Sequence, residues 1–369
     1  MPLIEPPVCM FCRIRPATSA EHIVANALGG RKVVRGFSCV PCNNLFGSTI
    51  DKELEEAYRF PSLLAGAYNG KKRPVAPLTM TRSDNGERVQ VEHGGSVRHS
   101  REATVTLLED DDLTPAVRSF KTFDIESIAQ MVAAEALRRG LPAVPGGGKL
   151  TMIDSGPVPF ELGGALGGPG QFRAVAKMGL AALAHMDVLP NGTKTRKLCR
   201  WVSAAEGEWA HSLDANALPA VRRALGTGDG VHVLAVWPVA GRLEATFLAF
   251  GFIPYRVRMP GSSAAIRPFA HVVDPVNGSH ELVDGAPPPN LLSIEAAFRS
   301  QEADNDALRG LFDWVDRTAQ AARLEGTVAA AFEKRKSQGH EFLELEHVPH
   351  LSTDIVTKLF PEHQKIELN

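Results

Sequence analysis

Two cysteine pairs sit near the start of the chain, Cys9-x-x-Cys12 and Cys39-x-x-Cys42. No other feature of the sequence restricts the fold as much. A C-x-x-C turn aims two sulfurs at one point, and two such turns supply the four thiolates of a tetrahedral zinc site. A closed four-thiolate site leaves no position for water, so its metal is structural, and its binding energy is folding energy for so short a segment. Between the pairs stands Glu21-His22, and Asn43 directly follows the last cysteine. A zinc ribbon explains the thiols. It does not explain a carboxylate, an imidazole and a carboxamide at those places.

The set Cys9, Cys12, Glu21-His22-Ile23-Val24, Ala27-Leu28-Gly29-Gly30 and Cys39-Val40-Pro41-Cys42-Asn43-Asn44 resembles the HNH endonucleases. The run from Cys42 through Gly47 to Ile50-Asp51 is similar to one branch of that family. The resemblance is good over residues 7 to 60, and Gln171–His185 resembles a helix that follows the module in some large members. It implies a ββα-metal fold in which zinc staples a hairpin to a helix opening near Asn43. Three departures stand out. The middle asparagine of the family name, which braces the hairpin loop, has no counterpart in residues 33–38. The proline that usually follows the His-Ile-Val step is Ala25, and the final histidine is replaced by Asn43.

The resemblance also implies roles. Phosphodiester hydrolysis needs an activated water and a means of neutralising charge on the phosphate. An imidazole accepts a proton near neutral pH, so His22 is the expected general base. Glu21 and Asn43 offer oxygens to a catalytic Mg²⁺ or Mn²⁺, both of which suit oxygen ligands. Adjacent strand residues point to opposite faces, so Glu21 and His22 share a site only at a twisted strand end or loop. Asn44 is expected in support, capping the helix or bonding the loop. Asp51 reads as a helix or turn residue, and His185, His211, His232 and His271 as solvated or core histidines.

The chain has 369 residues and a formal net charge of −2. That length predicts more than one domain. Near-neutral charge argues against coating nucleic acid along its length, but a local basic patch is sufficient for contact. Arg13, Arg15, Arg31, Lys32 and Arg35 flank the Glu-His step and are the expected nucleic-acid contacts, gripping phosphates without reading sequence. Lys71-Lys72-Arg73 lies close by, and Lys194, Arg196, Lys197 and Arg200 read as a solvated face. Of five cysteines, four are assigned to zinc and Cys199 is a neutral or buried thiol. Sparse cysteine, no apolar run of membrane-spanning length and no signal-like start predict a cytoplasmic protein without membrane contact.

The expected architecture is α+β: an HNH module over residues 1–70, a linker over 71–77, and a larger α+β domain over 78–369. Asp51–Tyr68 reads as a helix broken at Pro61. Asp84-Asn85-Gly86 signals a hairpin, with strands at Arg88–Val91 and Ala103–Leu107. Helices are predicted over Asp124–Arg139, Gln171–Met186, Lys194–Ala205, Asn305–Ser337 and Thr353–Leu359. The stretch Gly230–Arg258 reads as buried strands with a turn at Ala240-Gly241. The task of the larger domain is open between recognising a nucleic-acid feature, binding a partner and forming a homodimer. For the whole chain the expectation is a nuclease, with DNA as its nucleic acid. The alternatives are a non-catalytic zinc module that binds nucleic acid and a scaffold that uses zinc only to fold.

Overall fold

The computed structural model describes residues 7–81, 88–99, 105–108, 116–120, 166–262, 266–285, 288–291, 294 and 309–319. The fold is α+β. It divides into two compact units, one of residues 1–76, 93–95 and 163–323, the other of 77–92, 96–162 and 324–369.

The first unit opens with an antiparallel pair, β1 (Ser19–His22) and β2 (Val33–Ser38), in which Glu21 lies opposite Val34 and His22 opposite Val33. Helices α1 (Val40–Ser48) and α2 (Ile50–Leu64) follow. Helix α1 starts at the N-cap Cys39 with proline in its first turn, so Asn43 sits one turn inside it rather than at its opening. Helix α2 runs through Pro61. The proline falls in the last turn, where its missing N–H deprives only one carbonyl of a partner, and the helix ends at Ala65.

The second unit contains a three-stranded sheet of β3 (Leu78–Thr81), β4 (Arg88–Val91) and β5 (Val97–His99). It also contains the pair β6 (Val105–Leu108) and β7 (Ala116–Phe120). Strands β3 and β4 pair antiparallel with Thr81 opposite Arg88, as a hairpin requires. The turn between them lies outside the described residues. So do the helices expected at Asp124–Arg139 and Thr353–Leu359, and all but 309–319 of the one expected at Asn305–Ser337.

The first unit resumes with α3 (Pro169–His185) and α4 (Thr193–Ala204), then β8 (His211–Leu213) and α5 (Leu218–Leu225). Five strands complete it: β9 (His232–Val239), β10 (Arg242–Ala249), β11 (Ile253–Met259), β12 (Phe269–Val273) and β13 (His280–Asp284). They form with β8 one antiparallel sheet in the order β13-β12-β9-β10-β11-β8. The Ala240-Gly241 turn joins β9 to β10, with Arg242 opposite Val239.

Helix α3 explains why this sheet and the N-terminal hairpin form one body. Nearly every residue from Gly170 to Leu183 is buried, because the helix packs on β9–β11 on one side and on β1, β2 and α2 on the other. Gly179 permits the close approach to the sheet, since a Cβ there would lie 2.8 Å from the Ala245 Cβ. A continuous apolar core runs from Phe11, Phe37 and Phe46 through Val175, Met178 and Ala182 to Phe247 and Tyr255. A buried hydrogen-bond chain crosses it: Tyr58 donates to Tyr255 at 2.9 Å, and Tyr255 to Gln171 at 2.7 Å. The opposite sheet face buries Val233, Ala235, Trp237 and Leu248 beneath Ala217 and Val221. Arg256 is buried there too, paired with Glu244 at 2.7 Å and with Asp214.

Candidate functional site

The four paired cysteines converge. The Sγ atoms of Cys9, Cys12, Cys39 and Cys42 all lie within 4.8 Å of one another, and Cys12 and Cys39 are 3.7 Å apart. A tetrahedral zinc with bonds of about 2.3 Å has sulfur–sulfur edges of roughly 3.8 Å, so this donor set fits the ion. The backbone builds the knuckle: Cys9 N–H donates to the Arg15 carbonyl, Arg13 N–H to that of Cys9, and Met10 N–H to that of Phe37. Burial acts to raise the Cys12 thiol, but the N–H groups of Ile14 and Arg15 outweigh it and bring it down to about 6. Phe11 anchors the knuckle edge-on against Phe37 and Phe46, with centroids 5.2 and 4.5 Å away.

Strand β1 distributes the Glu-His step as alternation demands. Ser19 and Glu21 are buried, while Ala20 and His22 are half-buried on the other face. His22 ends the strand. Burial holds its imidazole below the usual histidine pKa, reinforced by the charges of Lys177 and Lys71 against the pull of Asp51. Such an imidazole is neutral at pH 7 and can accept a proton. Asn43 reaches from α1 to the same strand, its Nδ2 donating to Ser19 Oγ at 2.6 Å and to the Ala20 carbonyl at 3.4 Å. Because a carbonyl can only accept, the amide nitrogen must face the strand, and Oδ1 is left for another partner.

Glu21 is occupied differently from the sequence expectation. Its Oε1 accepts from Lys177 Nζ at 2.8 Å, and its Oε2 accepts from Ser38 Oγ at 3.3 Å. The same ammonium donates to Asp51 Oδ2 at 2.6 Å. Lys177 is fully buried, with its Nζ 5.8 Å from the centre of the Phe46 ring. Burial alone would lower the Lys177 pKa, but Asp51 and Glu21 raise it, so the ammonium persists. The donor pair expected for a catalytic divalent ion is therefore half assembled. Asn43 has an oxygen to offer, but each Glu21 oxygen already accepts a hydrogen bond, and the ammonium on Oε1 opposes a second cation there. The residues do not fit that ion in this arrangement.

Of the expected phosphate contacts, Arg13, Arg15, Lys32 and Arg35 are exposed and Arg31 is half-buried. Lys32 adjoins the site through its backbone, its carbonyl accepting from Ile23 N–H at 3.0 Å. Asn44 is exposed on α1, and Lys194, Arg196, Lys197 and Arg200 are exposed on α4. Asp51 does more than shape a turn, since it holds Lys177. Sequence reasoning missed Lys177, Ser19 and Ser38. The signal for Lys177 was a single charge inside the apolar run Ala174–Ala184. For the serines there was none.

A zinc knuckle, an antiparallel hairpin ending in histidine and a helix that begins at the third thiol form one ββα unit. Residues 9–59 match the family model for HNH endonuclease. This segment is an HNH endonuclease module. The match spans both cysteine pairs, the Glu21-His22 step and most of α2, and it stops short of α3. No curated protein and no solved structure matches the chain. The family implies nucleic acid as substrate class, and the four thiols form a site compatible with structural zinc. Among the described residues no helix is long and apolar enough to cross a membrane.

Proposed function

We propose that the chain hydrolyses phosphodiester bonds in nucleic acid, DNA foremost, with His22 as the general base. One observation carries the reading. The imidazole of His22 ends β1, and the carboxamide of Asn43 is tied to Ser19 and Ala20 of that same strand. The two polar groups are thus held to one short piece of backbone, itself pinned by the zinc knuckle. His22 accepts a proton from water, the hydroxide oxygen bonds to phosphorus, the phosphorus–oxygen ester bond breaks, the departing oxygen takes a proton from solvent water, and His22 returns its own to solvent. Lys177 is buried and does not touch the substrate; it positions β1 by holding Glu21. A divalent ion would supply charge neutralisation at the phosphate.

The test is cleavage of supercoiled plasmid by wild type and His22→Ala, with Mg²⁺, with Mn²⁺ and with no added divalent ion, at equal zinc content. Removing a general base costs about 10²–10⁴-fold in rate. Equal cutting by both proteins would sink the assignment of His22.

A second reading is favoured by the sequestered Glu21. With both its oxygens engaged, the module would act as a non-catalytic zinc element that binds nucleic acid. Duplex binding without cutting under every ion condition would establish it.

A further inference from the structure

The turn between β12 and β13 is docked on the loop that leads into β2. Tyr68 N–H donates to the Pro275 carbonyl at 2.8 Å, and a Cβ on Gly29 would lie 3.3 Å from Pro275. Arg31 lies on the tip of this turn, with its Nη2 2.5 Å from where a Cβ on Gly278 would be. Behind it, on the sheet face that also carries Leu234, stand two imidazoles. His271 on β12 and His280 on β13 have ring centroids 5.6 Å apart.

Most of their polar atoms are unsatisfied. Arg31 Nε and His271 Nδ1 are buried atoms with no hydrogen-bond partner among the described residues, and of the two buried ring nitrogens of His280 one faces the Gly29 carbonyl alone. His271 is only 3% exposed. A buried polar group without a partner costs free energy, and most native ones are paired. Three such atoms in one cluster are left for a ligand to complete. The charges that act on the pair give the sign of that ligand. His271 feels His280, Lys32 and His185, and His280 feels Arg31, all of them basic. The nearby carboxylate of Asp274 is spent on its own turn, accepting from Val276 N–H and Asn277 N–H at 2.9 Å and from Asn277 Nδ2 at 2.7 Å. The missing partner is an anion rich in acceptor oxygens.

We propose that His271, His280 and Arg31 form a phosphate-binding pocket that grips the backbone of a nucleic acid beside His22. The location supports the assignment. Lys32 precedes Val33, which pairs with His22 across the hairpin, so Arg31 stands two residues before the position that faces the base. It contacts a phosphate flanking the one attacked, and it positions the duplex without reading bases. The pocket rests on the nucleic-acid reading of the module and extends it to the sheet, which thereby acquires a task.

The experiment uses the full-length protein with ¹³C-labelled histidine rings, assigned through His271→Gln and His280→Gln. It is titrated in parallel with a short duplex DNA and with inorganic phosphate, no divalent ion being added. The duplex is expected to move the His271 and His280 resonances, and the double variant to bind it about tenfold more weakly. His280→Gln alone, at a half-buried position, gives the same direction should the double variant unfold. Arg31→Gln should reduce the slope of log affinity against log salt by about 0.9, one phosphate neutralised fewer. Response to inorganic phosphate with none to duplex would overturn the nucleic-acid contact. Silence toward both would make the imidazoles structural and overturn the pocket. Plasmid cleavage, followed in the same samples, separates the two readings. Pocket-dependent binding without cutting would retain the pocket and refute the nuclease, and cutting with unchanged binding in the variants would do the reverse.

Discussion

Lys177 Nζ lies 2.8 Å from Glu21 Oε1, joining two residues 156 positions apart in the sequence. With Asp51 at 2.6 Å on the same ammonium, two carboxylates share one cation inside the protein. Lys177→Met should lower stability by about 3–5 kcal/mol, because it leaves buried negative charge unpaired. Chemical denaturation would measure this. Glu21→Gln combined with Lys177→Met should cost less than the sum of the two, since both changes break the same contact.

The zinc knuckle should behave as a folding element. Cys39→Ser is expected to lose the bound zinc, because three thiolates no longer close the tetrahedron. Elemental analysis of the purified variant should find less than one zinc per chain. Cys199→Ser should keep its zinc, since Cys199 is not among the four converging thiols and is buried on α4, where burial pushes its thiol up to about 12.

Stability should fall in mild acid through His232. This imidazole is fully buried, accepts a hydrogen bond from Phe250 N–H at 3.1 Å and stacks on Phe247. Burial lowers its pKa to about 3, against the pull of Asp274. The unfolded chain binds a proton at this residue near pH 6.5 and the folded chain does not, so between about pH 6.5 and 3 protons favour unfolding. Its contribution is intact above about 6.5 and is lost at up to about 1.4 kcal/mol per pH unit below it. Denaturation midpoints from pH 7 to 4.5 should show this slope, and His232→Gln should flatten it.

Gly179 fixes the spacing of α3 against the sheet. Gly179→Ala places a methyl 2.8 Å from the Ala245 Cβ and 2.9 Å from the Met259 Cε. Methionine can yield, but the Ala245 Cβ is carried by the strand backbone. Overpacking of this kind costs about 1–3 kcal/mol, and the melting temperature should drop accordingly. An unchanged melting temperature would mean that α3 moves freely on β10.

The legible parts of this protein were local. The cysteine spacing located the knuckle, and the run between Gly230 and Arg258 declared β9 to β11 through apolar length and a two-residue turn. Strands β12 and β13 were missed because Phe269–Val273 and His280–Asp284 are short and carry histidines where a strand pattern wants apolar residues. The environment of Glu21 was not legible at all. Its neighbours in sequence predict a metal ligand, while the residue that occupies it arrives from α3. The lone lysine of that helix announced a buried charge without naming its partner. The histidines assigned to solvent or core split the same way: His232 is a core residue, whereas His271 belongs to a cluster that only sheet pairing assembles.

Helix α3 also sets an order of events. Glu21 and Asp51 leave the ribosome well before Lys177, by roughly 6–30 s at ordinary synthesis rates. In that interval the hairpin has zinc to hold it but no counter-ion for its two acids and no partner for its apolar face. The segment made first thus reaches its final packing only after α3 has been made, and a chain cut short before residue 177 would carry Glu21 and Asp51 without their cation.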